Sequence, residues 1–164
     1  MPIPVDLTAT VLANRKLSDS YNILELQAPE IARQSRPGQF VMVKRALGRE
    51  PLLRRPFSVF EIIRDGHGAV SGLSLLSKKV GIVTRDLFTV EPGESIQCLG
   101  PLGSPFTIVD PPMQGWMVAG GVGLAPFATL AEQLRERGFG HRKSGSKRYY
   151  VGLKLTSPQI TGGV

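Results

Sequence analysis

The sequence contains very little cysteine, since Cys98 is the only one among 164 residues. A chain with one cysteine cannot form an internal disulfide or supply the several thiolates of an iron–sulfur cluster. Cys98 lies in the strand-like run Ser95–Leu99, which favours a small residue of the hydrophobic core. The sequence therefore predicts no multi-cysteine metal site.

Long apolar runs are missing as well. No stretch reaches the ~18 apolar residues of a membrane span, and residues 1–7 lack the basic and apolar regions of a secretory signal. We therefore expect a cytoplasmic protein without a membrane span. The two histidines, His67 and His141, lie in Gly- or Lys-rich turns, where we expect surface positions. With no triad and no paired carboxylates, we predict no catalytic residue and no metal ligand.

Positive charge is abundant: 20 Lys and Arg against 13 Asp and Glu give a net charge of +7. Such a charge first suggests a nucleic-acid binder. Apart from Phe139, aromatic residues that could stack bases enter the basic tail only at Tyr149 and Tyr150, so we expect a solvated surface and no nucleic acid. The tail cluster comprises Arg135, Arg137, Arg142, Lys143, Lys147 and Arg148, and a second group comprises Arg45, Arg49, Arg54 and Arg55.

Alternating apolar and polar residues predict half-buried strands in the first two thirds of the chain. The strands are expected over residues 7–12, 22–27, 40–43, 57–63, 70–77 and 95–99. Nineteen Gly and thirteen Pro supply the turns, and a short helix is expected over 84–88, with Thr84 as a candidate cap. Six short strands separated by turns favour a small antiparallel barrel or sandwich.

The pattern changes near residue 115. Residues 116–119 form a continuous apolar run, as expected of a strand buried on both faces. A glycine-rich loop over 120–126 leads into helical spacing over 127–137, which Gly138 ends, and another strand is expected over 148–153. This β–α–β order indicates the beginning of a parallel sheet. We expect an α/β domain that has been started and not completed.

Three segments have the composition of phosphate-binding or cofactor-binding loops, although each also fits an ordinary turn, cap or basic loop, and a fourth segment is a rigid turn without chemistry of its own. Gly120–Gly123 lies between an apolar strand and a helix, where backbone N–H groups can bind phosphate. Arg55–Ser58 opens a strand with a cation, and arginine binds phosphate in a bidentate manner. Lys78–Thr84 offers a glycine and a hydroxyl before a helix. Gly100–Gly103 is expected to be a rigid linking loop.

In their order, these segments and Pro37–Phe40 resemble the ferredoxin–NADP reductase superfamily, and within it the electron-transfer subunits of dihydroorotate dehydrogenase B. The resemblance covers roughly residues 5–137. It implies a six-stranded antiparallel flavin-binding barrel over residues 1–110. It also implies an incomplete NAD-binding α/β domain over 111–164.

The resemblance further implies site residues and cofactors. FAD would be held by Arg55, Pro56, Phe57, Ser58, Leu76, Ser77, Lys78, Gly81, Val83 and Thr84. Gly120, Gly121 and Gly123 would face the pyrophosphate of NAD in a partial site. Family members also carry a [2Fe–2S] cluster, whose cysteines are absent from this sequence.

The implied activity is that of a flavin-dependent oxidoreductase subunit. It would pass electrons between a partner dihydroorotate dehydrogenase catalytic subunit and NAD in pyrimidine (UMP) biosynthesis, in a hetero-oligomer. Two alternatives remain open from the sequence. One is another reductase component of the superfamily, such as that of a hydrogenase or oxygenase. The other is a truncated, inactive flavin barrel retained as a binding module.

Overall fold

The computed structural model describes residues 3–46, 53–108, 115–137 and 149–153, with only the backbone at 115–116 and 149–153. Its first six strands are β1 (Val5–Lys16), β2 (Tyr21–Gln27), β3 (Phe40–Arg45), β4 (Arg55–Arg64), β5 (Val70–Lys78) and β6 (Ser95–Leu102). They close into one barrel in the order β1-β2-β5-β4-β3-β6. All neighbouring pairs are antiparallel. The alternating runs left a barrel and a sandwich open, and the six-stranded antiparallel barrel that the resemblance implies is confirmed.

The barrel interior is filled by alternate residues of the strands. Leu24 and Leu26 of β2 stand opposite Leu75 and Leu73 of β5, and all four are fully buried. Burying one such side chain is worth about 1.5–3 kcal/mol. The period-2 pattern that predicted these strands is therefore also what forms the core.

Two short helices connect the strands, α1 (Pro29–Gln34) and α2 (Ile82–Thr89). Helix α1 is only six residues long and was not predicted from the sequence. Helix α2 is longer than predicted, and the expected cap at Thr84 was wrong because Gly81 occupies the N-cap position. In the part of the chain that the structure describes, no helix is long and apolar enough to cross a membrane.

Helix α2 closes one end of the barrel. Its Val83 and Leu87 are buried in the same hydrophobic cluster as the interior leucines of the strands. Val90, directly after the helix, is buried in that cluster as well. The opposite side of α2 stays open to solvent, since Ile82 and Arg85 are exposed. The helix is thus fixed to the barrel by one apolar face.

The loop expected over residues 100–103 was wrong for its first three members. Strand β6 continues through Leu102, with Gly100 paired to Val5 of β1 and Leu102 paired to Phe40 of β3. Strands β1 and β3 pair with β6 on its two sides and provide hydrogen-bond partners for its backbone. This pairing outweighs the preference of Gly and Pro for turns. Gly103 follows the strand with a positive φ of 82°.

Beyond the barrel lie β7 (Gly115–Ala119), a 3₁₀ turn (Gly121–Leu124), α3 (Ala125–Glu136) and β8 (Tyr149–Leu153). Strands β7 and β8 pair in parallel, so the predicted β–α–β beginning is confirmed. Burial of β7 on both faces was wrong, because Val118 is 79% exposed while Met117 is 7% exposed. Successive residues of a strand point to opposite faces, so β7 is covered on one face.

Helix α3 is attached to the outside of the barrel at its N-terminal end. Ala125 is buried against Ile23 and Leu76. The Phe127 ring stacks on Phe106, with ring centroids 5.6 Å apart and the planes 8° from parallel. Such stacked pairs add about 0.5–1.5 kcal/mol beyond the area they bury. These contacts hold the glycine-rich turn beside strand β5.

Candidate cofactor-binding cleft

A cleft of about 530 Å³ opens where the beginning of β4, the end of β5 and the beginning of α2 meet. Ligand pockets usually measure ~300–1,000 Å³. All ten barrel residues that the sequence analysis proposed for FAD line it: Arg55, Pro56, Phe57, Ser58, Leu76, Ser77, Lys78, Gly81, Val83 and Thr84. The structure thus brings together three segments that are separate in the sequence.

Four further residues line the cleft and were missed by the sequence analysis: Val80, Ile82, Val122 and Ala125. Val80 and Ile82 are 67% and 74% exposed, which is unusual for large apolar side chains. They flank Gly81 in the segment Lys78–Thr84, which had already been proposed as a phosphate-binding loop. Two large apolar residues in such a turn were the signal that could have identified them. Val122 and Ala125 lie in the glycine-rich segment.

The charge of the cleft is positive. Its lining contains Arg55 and Lys78 and no acidic residue. Among the described residues, the Arg55 side chain makes no hydrogen bond or ion pair. The Lys78 ammonium lies 5.3 Å from the centre of the Tyr21 ring, within cation–π distance. The cleft therefore offers one guanidinium and one ammonium to an anion.

The neighbouring arginine, Arg54, is paired outside the cleft. Arg54 makes a bidentate ion pair with Asp6 of β1, with N–O distances of 2.8 and 3.0 Å. Arg54 does not line the cleft. Arg54 lies directly before β4, whereas Arg55 is the first residue of β4 and lines the cleft. Arg54 is thus a structural cation, and Arg55 is one that is open to a ligand.

The first turn of α2 adds backbone donors. The Thr84 hydroxyl oxygen accepts hydrogen bonds from the N–H groups of Val80 and Gly81 at 2.9 and 2.8 Å. The first helical bond runs from the Arg85 N–H to the Gly81 carbonyl at 2.9 Å. The N–H groups of residues 82–84 precede that bond and have no partner within the helix. Such groups, with the positive end of the helix dipole, bind phosphate.

An apolar wall and one unsatisfied hydroxyl complete the cleft. Phe57 and Leu76 are each 9% exposed, and both line the cleft. Ser77 is 2% exposed, and its hydroxyl has no hydrogen-bond partner among the described residues. An unpaired buried hydroxyl costs about 1–3 kcal/mol, so Ser77 fits a polar ligand atom. The cleft therefore suits an anion with a flat apolar body.

The glycines proposed for NAD lie beside this cleft and do not line it. Gly120 precedes the 3₁₀ turn, and the Gly123 N–H donates to its carbonyl at 3.0 Å. Gly121 has a left-handed φ of 56°, and a Cβ there would lie 3.3 Å from the Tyr21 hydroxyl. A side chain at this position would be strained and crowded. The glycine thus allows the turn to approach the barrel.

The single cysteine does not fit an iron–sulfur cluster. Cys98 is fully buried in the barrel core, as the sequence predicted. Burial raises the pKa of its thiol to about 12, whereas a cluster ligand must be a thiolate. Among the residues that the structure describes, no three His, Cys, Asp or Glu side chains stand together as a metal site.

The burial of Cys98 gives a prediction about its reactivity. Because a thiol with a pKa near 12 stays protonated and unreactive, we expect no reaction with a disulfide reagent in the native protein at mildly alkaline pH. One thiol per chain should react after unfolding in guanidinium. Rapid labelling of the native protein would contradict the buried position.

Of the two histidines predicted to lie on the surface, the structure describes one. His67 is exposed in the turn after β4, where its N–H donates to Asp65, and the predicted surface position is confirmed. His141 lies outside the described residues, as does Gly138. Of the basic residues that raised the charge, the following also lie outside: Arg49, Arg142, Lys143, Lys147 and Arg148.

Comparison with known proteins identifies relatives of the sequence, although no protein-family model matches it. The chain is 39% identical over 126 residues to the dihydroorotate dehydrogenase B (NAD(+)) electron transfer subunit of Desulforamulus reducens, covering 77% of this chain and 47% of that protein. It is 34% identical over 131 residues to the corresponding subunit of Geobacillus thermodenitrificans, covering 79% and 49%. The chain thus spans about half the length of these curated relatives.

Solved structures with the same fold include ferredoxin reductases. A structure of an NADH-dependent reduced ferredoxin–NADP oxidoreductase matches with a TM-score of 0.72 and 22% identity, covering 91% of this chain and 49% of that one. A ferredoxin NADP+ reductase from Neisseria gonorrhoeae, solved with bound FAD and NADP, matches with a TM-score of 0.65 and 18% identity, covering 81% and 53%. Over most of its length, this chain is therefore a homologue of the dihydroorotate dehydrogenase B electron transfer subunits, built on the fold of the ferredoxin reductases.

Proposed function

We propose that the cleft binds FAD. The observation that carries this is the meeting of ten family-motif residues around one cationic cleft. Arg55 and the free N–H groups at the beginning of α2 would hold the pyrophosphate. Phe57 and Leu76 would pack against the ring system, and Ser58 and Ser77 would hydrogen-bond its polar edge.

The chemistry would belong to the cofactor, and the chain would bind and orient it. A flavin accepts a hydride and releases electrons one at a time. The two cations of the cleft lower the cost of bringing an anion to the barrel. The wall of Phe57 and Leu76 would exclude water from one side of the bound ring. The described cleft lining holds no acid, base or nucleophile besides hydroxyls and Lys78, which suits a site of this kind.

We also propose a division of labour along the chain. Residues 1–110 form the FAD unit, and residues 111–164 form part of an NAD unit. Gly120, Gly121 and Gly123 would approach the nicotinamide pyrophosphate at the turn between β7 and α3. The order of a strand, a glycine turn and a helix supports this assignment.

In the whole protein, this site would transfer electrons between the catalytic subunit of dihydroorotate dehydrogenase and NAD, in pyrimidine biosynthesis. Relatives at 34–39% identity carry that name, which supports the proposal. The family's [2Fe–2S] cluster does not fit this sequence, because Cys98 is its only cysteine and is buried. Any cluster in the electron path must therefore be held by residues outside this sequence.

The test is a reduction experiment without oxygen. The whole protein, loaded with FAD and with whatever residues hold its cluster, is mixed with NADH, and separately with dihydroorotate and the catalytic subunit. We expect the flavin absorbance to bleach in both. Bleaching by NADH alone would favour another reductase component of the superfamily. Bound FAD that neither donor reduces would favour a flavin barrel that is inactive in electron transfer.

A further inference from the structure

The C-terminal end of α2 is held by one side chain of the barrel. The Asn14 amide nitrogen donates to the carbonyls of Leu87, Phe88 and Val90 at 3.2, 3.3 and 2.7 Å. The last carbonyls of a helix have no hydrogen-bond donor within the helix. The Asn14 side chain on strand β1 provides that donor. The Lys16 ammonium also donates to the Phe88 carbonyl.

Asn14 is in turn oriented by a second asparagine. The Asn22 amide nitrogen donates to the Asn14 side-chain oxygen at 2.7 Å, and Asn22 is fully buried. Carbonyls only accept hydrogen bonds, so the Asn14 nitrogen must face the helix and its oxygen must face Asn22. The two side chains therefore fit together in one orientation only.

The same pair reaches the floor of the cleft. Asn22 stands directly opposite Ser77 across the β2–β5 pairing, and opposite residues have Cβ atoms about 4.5–5.5 Å apart on the same face. The Asn22 side-chain oxygen and the Ser77 hydroxyl are both buried and both unpaired among the described residues. A polar layer thus runs from the cleft through Asn22 and Asn14 to the far end of α2.

We propose that Asn14 and Asn22 are positioning residues for the phosphate-binding end of the cleft. They touch no ligand. They fix the end of α2 so that its first turn, over residues 82–84, presents its N–H groups at the correct place. This inference rests on the proposed function, because it names the phosphate part of a bound dinucleotide as what the helix positions.

The test variant is Asn14→Asp, which keeps the size of the side chain and replaces its donor by a carboxylate oxygen. Facing three carbonyls, that oxygen repels them. We expect binding of FAD and of ADP to weaken about tenfold, as for the loss of a buried hydrogen-bond network. Riboflavin, which has the ring without phosphates, should bind within about twofold of its original affinity. Gln27→Glu makes the same change of charge at an exposed position of β2 and should leave all three unchanged.

Amide hydrogen exchange of the free protein gives a readout that needs no ligand. In Asn14→Asp, protection should fall over residues 85–89 of α2, while the barrel strands keep theirs. Unchanged protection of α2, or equal weakening of FAD and riboflavin, would overturn the proposal. If the parent chain bound no FAD while α2 still lost protection in the variant, the proposed function would fail and the positioning of the helix would stand.

Discussion

Replacing Gly72 with alanine should remove most of the stability of the barrel. A Cβ at residue 72 would lie 2.0 Å from the backbone oxygen of Leu26 and 3.0 Å from its carbonyl carbon. No side chain can move to relieve this clash, so strand β2 must shift away from β5. Overpacking usually costs about 1–3 kcal/mol and more against fixed backbone. We expect a loss of at least ~3 kcal/mol in urea unfolding, or an insoluble product.

The matched control is Gly66→Ala, in the turn between β4 and β5. A Cβ at residue 66 meets nothing within 4 Å, and alanine restricts the unfolded chain more than glycine does. This variant should unfold at the same urea concentration as the parent or at a slightly higher one. Equal stabilities of the two variants would mean that β2 and β5 do not approach each other as described.

The second large effect is expected at Arg55. Arg55→Gln removes the guanidinium that is open to the cleft, and with it a charge-assisted contact worth about 1.5–3 kcal/mol. The dissociation constant for FAD should therefore rise about 10- to 100-fold. Unfolding stability should stay close to that of the parent, because Arg55 is exposed and makes no ion pair among the described residues.

Arg54→Gln is the control for this effect. It changes the neighbouring residue in the same way, but it breaks the ion pair with Asp6 and a hydrogen bond to Gln97, neither of which lines the cleft. A pair with an exposed partner contributes about 0–1 kcal/mol to stability, and FAD affinity should be unchanged. If both variants weakened FAD binding equally, the effect would come from the loss of net positive charge. Arg55 would then make no specific contact with FAD.

The barrel could be predicted from the sequence because its strands carry their own signal. Burial alternates along β1, β4 and β6, and turn residues separate the strands. Helix α1 could not be predicted, because six residues are too few for a helical period to emerge. The extension of β6 through Gly100 and Pro101 depends on pairing with β1 and β3, which no local preference encodes.

The cleft, likewise, could be predicted from the sequence only in part. Its ten predicted residues were found because three short motifs resemble those of a known superfamily in order. Val80 and Ile82 were missed because their exposure becomes visible only in the folded chain. Asn14 and Asn22 carried no motif, and the Asn14 amide donates to carbonyls 73 to 76 positions further along the chain. Contacts between residues so far apart in the sequence arise from the arrangement of strands and helix in the folded barrel.

The measurement that tests the central claim most directly is a calorimetric titration of the purified chain with FAD, repeated in the presence of ADP. The cleft predicts saturable binding of one FAD per chain, weakened by ADP because both would use Arg55 and the beginning of α2. Binding should also disturb the flavin absorbance as the ring leaves water. A flat titration with a folded chain would contradict the account, since the residues would then form a cleft without forming a flavin site.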